Sequence, residues 1–460
     1  MQDTAVLTRG NEPHSAASMS GLDAGVARKF EQELERMVAE LGLEDLSPTR
    51  FRSFVGSLRS LLAAIGRDAL TQVLESADEA RSSVERAGQR MRYRGFAECD
   101  WLTAFGRLTV RRRVYRGAGP GAPSSVPLDE ACGMRDRFMT ADLEEMAALG
   151  MAMLTAREVE QLLGKTLPEG PSATAIQSVV HRLGGELDSQ RAAIEDAIEE
   201  QAPLTTKGDV LVVSWDGVMT PMREASKVAW REAGVAVLSV YGLGEEGPEK
   251  LDSRLFARMP ESGMASLLND VVDQVLRARR AQEFREVVVL CDGKGTIWDA
   301  AAARPVLSDA IWILDFFHAA ENLMKAATAI FGDTAEAKRW HRQQREKLQL
   351  DERGVDHAIR SMCRYRRLMP ADCKERKVVR NAIQYFRDNR ARMQYAQFIA
   401  LGLPIGSGPV ESAAKNLVQA RLKRSGMRWS HQGGQHVLDL RAYLKSDRWE
   451  PMWSSLTSVA

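Results

Sequence analysis

From about Ala27 to Arg90, apolar residues recur at three- and four-residue spacing between charged positions, as in FVGSLRSLLAAIG, and predict amphipathic helices. The period then changes. WLTAFGRLTVRRRVYRG, Trp101 to Gly117, alternates and is rich in β-formers, which predicts a hairpin turning near Gly106. GAGPGAPSSVP reads as a Gly/Pro/Ser loop. Helical spacing returns near Thr140. TAREVEQLLGKTLPEGPSATAIQSVVHRLG predicts a short helix, a Gly/Pro turn and a second helix that Ser172 is placed to cap.

At Gly208 the texture shifts to short apolar runs. Strands are expected over Val210–Trp215, through Tyr241, and within SRLFARM. A helix from about Glu261 to Arg280 carries Met264, Leu267, Leu268, Val271, Val275 and Leu276 at helical spacing, and strands Val287–Cys291 and Ile311–Leu314 follow. Strand, strand, strand, helix, strand, helix, strand describes an α/β layer. From His318 to about Ala400 the pattern is almost purely helical and rich in Arg and Lys. LGLPIGSGP breaks it, a helix starts near Pro409 with Glu411 in its first turn, and a last one runs to about Lys445. No internal repeat is visible.

Composition adds limits. The 460 residues, 44% hydrophobic and 27% charged, suffice for several domains with ordinary cores. The net charge of +1 announces no polyanion globally, so any basic surface is local. No apolar run has the length of a membrane span. The N-terminal MQDTAVLTRGNEPHSAASMSG lacks the pattern of a signal peptide and reads as a polar tail. Cys99, Cys132, Cys291, Cys363 and Cys373 form no C-x-x-C pair, which fits reduced thiols in a cytoplasm better than disulfides or a zinc site.

The candidate chemistry lies where two apolar runs end on Asp-Gly, VVSWDG at Asp216 and VVVLCDG at Asp292. Each alone is a turn signal. Together, after parallel-type strands, they suggest carboxylates gathered where open α/β sheets bind ligands, at the carboxyl ends of strands. Glu411 would complete an oxygen site for two Mg2+ ions, which clamp the attacking and leaving oxygens of a phosphodiester. The plainer alternative makes Glu411 a first-turn helix acid with Lys415 as its i,i+4 partner.

The ordered set SWDGV, CDGKGTIWDAA, WILDFFHAAENL and PIGSGPVESAAKNLVQARLKRSGMRW resembles bacterial insertion-sequence transposases of the ISKra type, over about Val210 to Trp449. The resemblance implies a DDE transposase with a ribonuclease H-like core, with Asp216, Asp292 and Glu411 as catalytic and metal-binding residues. It implies two Mg2+ ions, for which Mn2+ can substitute, and a helical insertion between about Phe331 and Leu403. The stretch DFFH matches a D-x-x-H element of Mutator-like relatives. Asp315 and His318 would order the site or touch DNA, or Asp315 simply caps the following helix. Two features depart from the pattern. The position seven after the Glu, often basic in such enzymes, is Val418, and RGAGPGAPSS stands where relatives often carry a Cys-rich segment.

The fold expected is multidomain α + α/β, with a helical N-terminal region bearing a helix-turn-helix and an α/β core interrupted by an all-helical insertion. The expected layout is a tail over 1–26, a helical region with a hairpin over 27–135, the helix-turn-helix over 136–207, the core over 208–330, the insertion over 331–403 and core completion over 404–460. Double-stranded DNA is the expected partner, as terminal inverted repeats and as target, bound by a homo-oligomer away from membranes, in a bacterial cytoplasm. Phosphate contacts are expected from Lys415, Arg421, Lys423 and Arg424, and stacking or core packing from Trp429. Base contacts are expected from Gln177 and Arg182, unless that helical pair only packs on the core. The Arg-rich insertion is expected to face DNA.

Overall fold

The structure is a computed structural model that describes residues 24–458 apart from 79, 87, 206, 225, 226, 246 and 294. Most of the expected N-terminal tail lies outside these residues. The chain divides into two compact units, one of residues up to 146 with 157–176, the other of 147–156 with 177 onward. Both contain a sheet and helices, so the chain is mixed α/β. No helix among the described residues is long and apolar enough to cross a membrane.

The first unit opens with α1 (Ala24–Leu41) and α2 (Pro48–Ala77). Ser47 caps α2 by accepting from Arg50 N, and Pro48 occupies the first turn, where its missing N–H costs nothing. The helical pattern expected as far as Arg90 ends at Ala77. Beyond it come strands β1 (Ser83–Arg86), β2 (Gln89–Thr103), β3 (Gly106–Arg116) and β4 (Ser124–Ser125), an antiparallel sheet in that order. The β2–β3 hairpin turns at Ala104–Phe105, and Gly106 takes the positive φ of 99° that closes it. Helix α3 (Pro127–Ala131) and the start of α4 (Ala141–Met153) follow. Leu74 of α2, Trp101, Leu108 and Val110 of the hairpin, Leu128 and Met134 form its core. Helix α5 (Ala156–Thr166) and the start of α6 (Ala173–Gln201) complete this unit.

The second unit holds a five-stranded sheet of β5 (Val210–Glu224), β6 (Lys227–Gly244), β7 (Gly247–Arg258), β8 (Glu286–Cys291) and β9 (Ile311–Leu314). Helix α7 (Ala265–Ala281) joins β7 to β8, and α8 (Gly295–Ala302) lies between β8 and β9. The spatial order is β7-β6-β5-β8-β9. β6 runs antiparallel to both neighbours, while β5, β8 and β9 are parallel.

Helix α9 (Phe316–Phe331) leads into α10 (Ala335–Leu350), α11 (Gly354–Leu368), α12 (Lys374–Asp388) and α13 (Tyr395–Ala400). Their apolar stripes do not form a separate core. Trp340, Met362, Ile383, Phe386 and Tyr395 belong to the same buried cluster as Val212, Val213, Val288 and Val289 of the sheet. The chain then returns through α14 (Gly408–Ala413), a π-helical turn over Ala414–Gln419, α15 (Ala420–Leu422), α16 (His431–Lys445) and α17 (Trp449–Ser458). A buried polar network ties α16 to the unit: Asp439 accepts from Arg258 at 2.7 Å and Arg191 at 3.1 Å, and Tyr443 donates to Glu195 at 2.7 Å.

Candidate active site

Asp216 does not end its strand. β5 continues eight residues further to Glu224, paired with β6 throughout, so the turn reading of Asp216-Gly217 is incorrect. The parallel pairing with β8, however, stops at Val213 opposite Val289. Extending that register by three residues sets Asp216 level with Asp292, just past the end of β8. On the other side, Cys291 lies opposite Leu314, and Asp315 N donates to Cys291 O at 2.9 Å, which sets Asp292 level with Asp315. Three aspartates therefore stand in one row at the carboxyl edge of three neighbouring parallel strands. Neighbouring strands are about 4.8 Å apart.

Alternation decides which way Asp216 points. A Cβ on Gly234 would meet Leu267 of α7 and Met264 just before it, so Gly234 and its partner Gly217 face α7. Asp216, one residue earlier, faces the other side of the sheet. Its Oδ1 accepts from Gly217 N at 2.7 Å. The Cys291 thiol is within electrostatic reach of all three carboxylates. Burial pushes its pKa well up, and Asp292, Asp216 and Asp315 push it further.

Asp315 is fully buried, and both of its carboxylate oxygens accept hydrogen bonds. It caps α9, taking hydrogen bonds at its Oδ1 from His318 N at 2.8 Å and His318 Nδ1 at 3.1 Å. Its Oδ2 accepts from Ser407 N, and the adjacent Phe316 N donates to Ile405 O. The capping expectation for Asp315 is thus met, with a second role: it pins the strand edge to the segment that leads into the Glu411 helix. The hydrogen bond to Asp315 raises the His318 pKa to about 9 against the opposing effect of burial, and the Asp315 and Asp292 charges add to the rise. Burial opposes ionisation of Asp315, but the His318 and Ser407 bonds outweigh it and hold its pKa below the ordinary value.

Glu411 is half-buried on α14, which packs against β5 and β6. Among the described residues, no group of three or more His, Cys, Asp and Glu side chains is close enough to hold a metal ion. The donor chemistry, carboxylates alone, suits a hard cation such as Mg2+. The structure brings Asp216, Asp292 and Asp315 to one edge, and neither they nor Glu411 form a three-ligand cluster among the described residues.

The insertion contributes a residue that no sequence signal marked. Tyr385 of α12 lies against Gly293, where a Cβ would come within 2.7 Å of its ring. Burial raises the Tyr385 phenol, and Asp292, Asp315 and Glu321 raise it further. On the other side of the same loop, Trp298 Nε1 donates to Asp292 O at 2.8 Å. The Asp292-Gly293 step is therefore held between α8 and α12. The requirement for glycine at 293 is the trace this packing leaves in the sequence.

The expected DNA contacts fare unevenly. Lys415, Lys423 and Arg424 are exposed. Arg421 is not available to phosphates: it is 1% exposed, donates from Nε to Met151 O at 3.1 Å, and lies 5.0 Å from the centre of the Trp429 ring. Trp429 is half-buried, donates to Leu422 O at 3.0 Å and bridges by backbone to Met222, so it has a packing role. The turn Ala414–Gln419 is π-helical and follows directly on α14, the helix of Glu411. Val418, where the family pattern favours a basic residue, is fully buried in it. Gln177 is exposed, whereas Arg182 is half-buried and paired with Glu186 at 2.7 Å. Ser172 caps α6 as expected, through Ala175 N at 3.2 Å, but α6 runs 29 residues, far beyond a short recognition helix.

No family model and no curated protein matches this chain. Among solved structures, one described as "Crystal structure of NurA with manganese" is similar at 16% identity and TM-score 0.09, over 61% of this chain and 64% of that one. A second, of NurA bound to dAMP and manganese, stands at 15% identity and TM-score 0.09, over 60% and 64%. The chain thus spans less than two thirds of those proteins, and likeness at this level carries no argument about fold or activity.

Proposed function

We propose that this chain is a DNA transposase of the ISKra type, with a ribonuclease H-like core that cuts the ends of its element and joins them to target DNA. The observation that carries the reading is the row of Asp216, Asp292 and Asp315 on adjacent parallel strands. The strand order β7-β6-β5-β8-β9, in which β6, second from the edge, alone runs against the other strands, supports the core assignment.

Asp216 and Asp292, with Glu411 drawn in from α14, would hold divalent cations. When bound, these supply positive charge to the attacking and leaving oxygens of the phosphodiester. The first reaction is hydrolysis: water attacks phosphorus, the bond to the 3′ oxygen breaks, and a 3′-hydroxyl is released. In the second, that hydroxyl attacks a target phosphodiester and displaces another 3′ oxygen. Asp315 anchors the Glu411 helix through Ser407, and Tyr385 shields the Asp292-Gly293 step. Lys415, Lys423 and Arg424 attract flanking phosphates.

The test uses duplexes taken from the DNA flanking the protein's own coding sequence, with Mg2+ or Mn2+. Wild type should nick and join these ends. Asp216→Asn, Asp292→Asn and Glu411→Gln should each lose both activities while keeping DNA binding. Cleavage without joining of pre-nicked ends would make the chain a nuclease. Binding without either reaction in wild type would make it a DNA-binding regulator.

A further inference from the structure

The β2–β3 hairpin of the first unit is strongly basic. From Gln89 to Arg116 it carries eight arginines, no lysine and two acids, a surplus of six in a protein whose total is +1. Four arginines have structural duties. Arg107 pairs with Glu169 at 2.7 Å, Arg112 with Asp129 at 2.7 Å and Arg113 with Asp78 at 3.2 Å, while Arg90 donates to Ser83.

The other four, Arg92, Arg94, Arg111 and Arg116, are exposed, and no acidic partner is paired with them among the described residues. Arg92 and Arg116 lie directly opposite each other on β2 and β3. Like charges in that position destabilise a sheet. Arg94 stands at an irregularity in the pairing between Tyr93 and Gly95, a device that re-aims a side chain. Arg111 is stacked 4.0 Å from the centre of the Phe96 ring, and Phe96 is 44% exposed. Glu98 opposite Arg111 and Glu85 opposite Arg90 are the nearby acids in the register.

We infer that this end of the hairpin is a phosphate-contacting surface for double-stranded DNA, separate from the helix-turn-helix segment and from the cluster after Glu411. The inference rests on the reading of the chain as a DNA-acting protein. Guanidinium groups are planar forks matched to phosphate oxygens, which explains arginine at every basic position of the hairpin. A polyanion laid across β2 and β3 also relieves the Arg92–Arg116 repulsion that folding leaves in place. Stacking on Phe96 holds Arg111 extended before DNA arrives.

The test is fluorescence anisotropy of the full chain on random-sequence duplex DNA, and on single-stranded DNA of the same length, from about 50 to 200 mM salt. Replacing two phosphate contacts should flatten the log–log salt slope by about 1.8. Arg92→Ala/Arg116→Ala should therefore lose about tenfold less affinity than wild type across that range, and bind more weakly at the low-salt end. Arg92→Lys/Arg116→Lys should keep the wild-type slope. An unchanged slope in the alanine variant, with wild type binding normally, overturns this surface alone. A loss confined to single-stranded DNA overturns the duplex assignment. Failure of wild type to bind any DNA overturns the transposase reading together with it.

Discussion

Arg421 shows how a basic residue can be misjudged from its neighbours. It sits in ARLKRSGMR, beside Lys423 and Arg424, and every local signal places it on a phosphate-binding face. The fold instead turns it inward to the Met151 carbonyl and the Trp429 ring. Removing it leaves a cavity and an unpaired buried carbonyl, so Arg421→Ala should destabilise the protein by about 1–3 kcal/mol. Lys423→Ala, at an exposed position, should stay within about 0.5 kcal/mol of wild type. Thermal melts of the two variants decide it, and equal melting temperatures would return Arg421 to the surface. His318 is a residue whose titration is set by one partner. Its folded pKa of about 9 lies above the ordinary 6.5, so its contribution is complete below about pH 6.5 and is lost as pH rises through 9. Asp315 has the opposite sign: its pKa is depressed, so its contribution is present above the ordinary 3.8 and fades in acid. The difference in melting temperature between wild type and His318→Gln should therefore shrink from pH 7 to pH 10. An imidazole NMR titration with a midpoint near 6.5 would refute the pairing.

At the level of elements, the seven-element order of the sheet region was readable because apolar runs there are bounded by breakers. The lengths of β5 and β6 were not. Past Asp216 these strands carry exposed Met219 and Trp230 and the Glu224–Arg231 pair at their tips, a pattern neither alternating nor wholly buried. The end of α2 was missed for a similar reason, since charged residues continue through the β1 turn. Contacts across long separations left faint marks or none. Tyr385 meets Gly293 from 92 residues away, and only the glycine hints at it. Two adjacent glycines of α6 make the same point testable. A Cβ on Gly184 would strike the His436 ring, whereas one on Gly185 meets nothing within 4 Å. Gly184→Ala should cost about 1–3 kcal/mol by overpacking. Gly185→Ala should gain about 0.5–1 kcal/mol, because alanine loses less backbone freedom in a helix. Denaturant melts that move both variants in one direction would mean that α6 and α16 do not pack as described.

For the whole molecule, a net charge of +1 conceals strong segregation. Arginine is concentrated in the β2–β3 hairpin, and exposed lysine and arginine recur after Glu411, while the acids are spread elsewhere. On the proposed reading, binding to DNA would depend on where charge sits more than on its sum, because released counterions are counted at contacts. Lys415, Lys423 and Arg424 form the set to remove once the buried Arg421 is left intact. Their triple alanine variant should lower the salt slope on duplex DNA by about 2.7 if each contacts one phosphate. The loss should be similar for element ends and for scrambled duplexes, since phosphates carry no sequence. Melting temperature should hardly change, because all three side chains are exposed. An unchanged slope would assign these residues to a solvated face. A loss specific to element ends would make them base readers and move sequence recognition into the unit that carries Asp216 and Asp292.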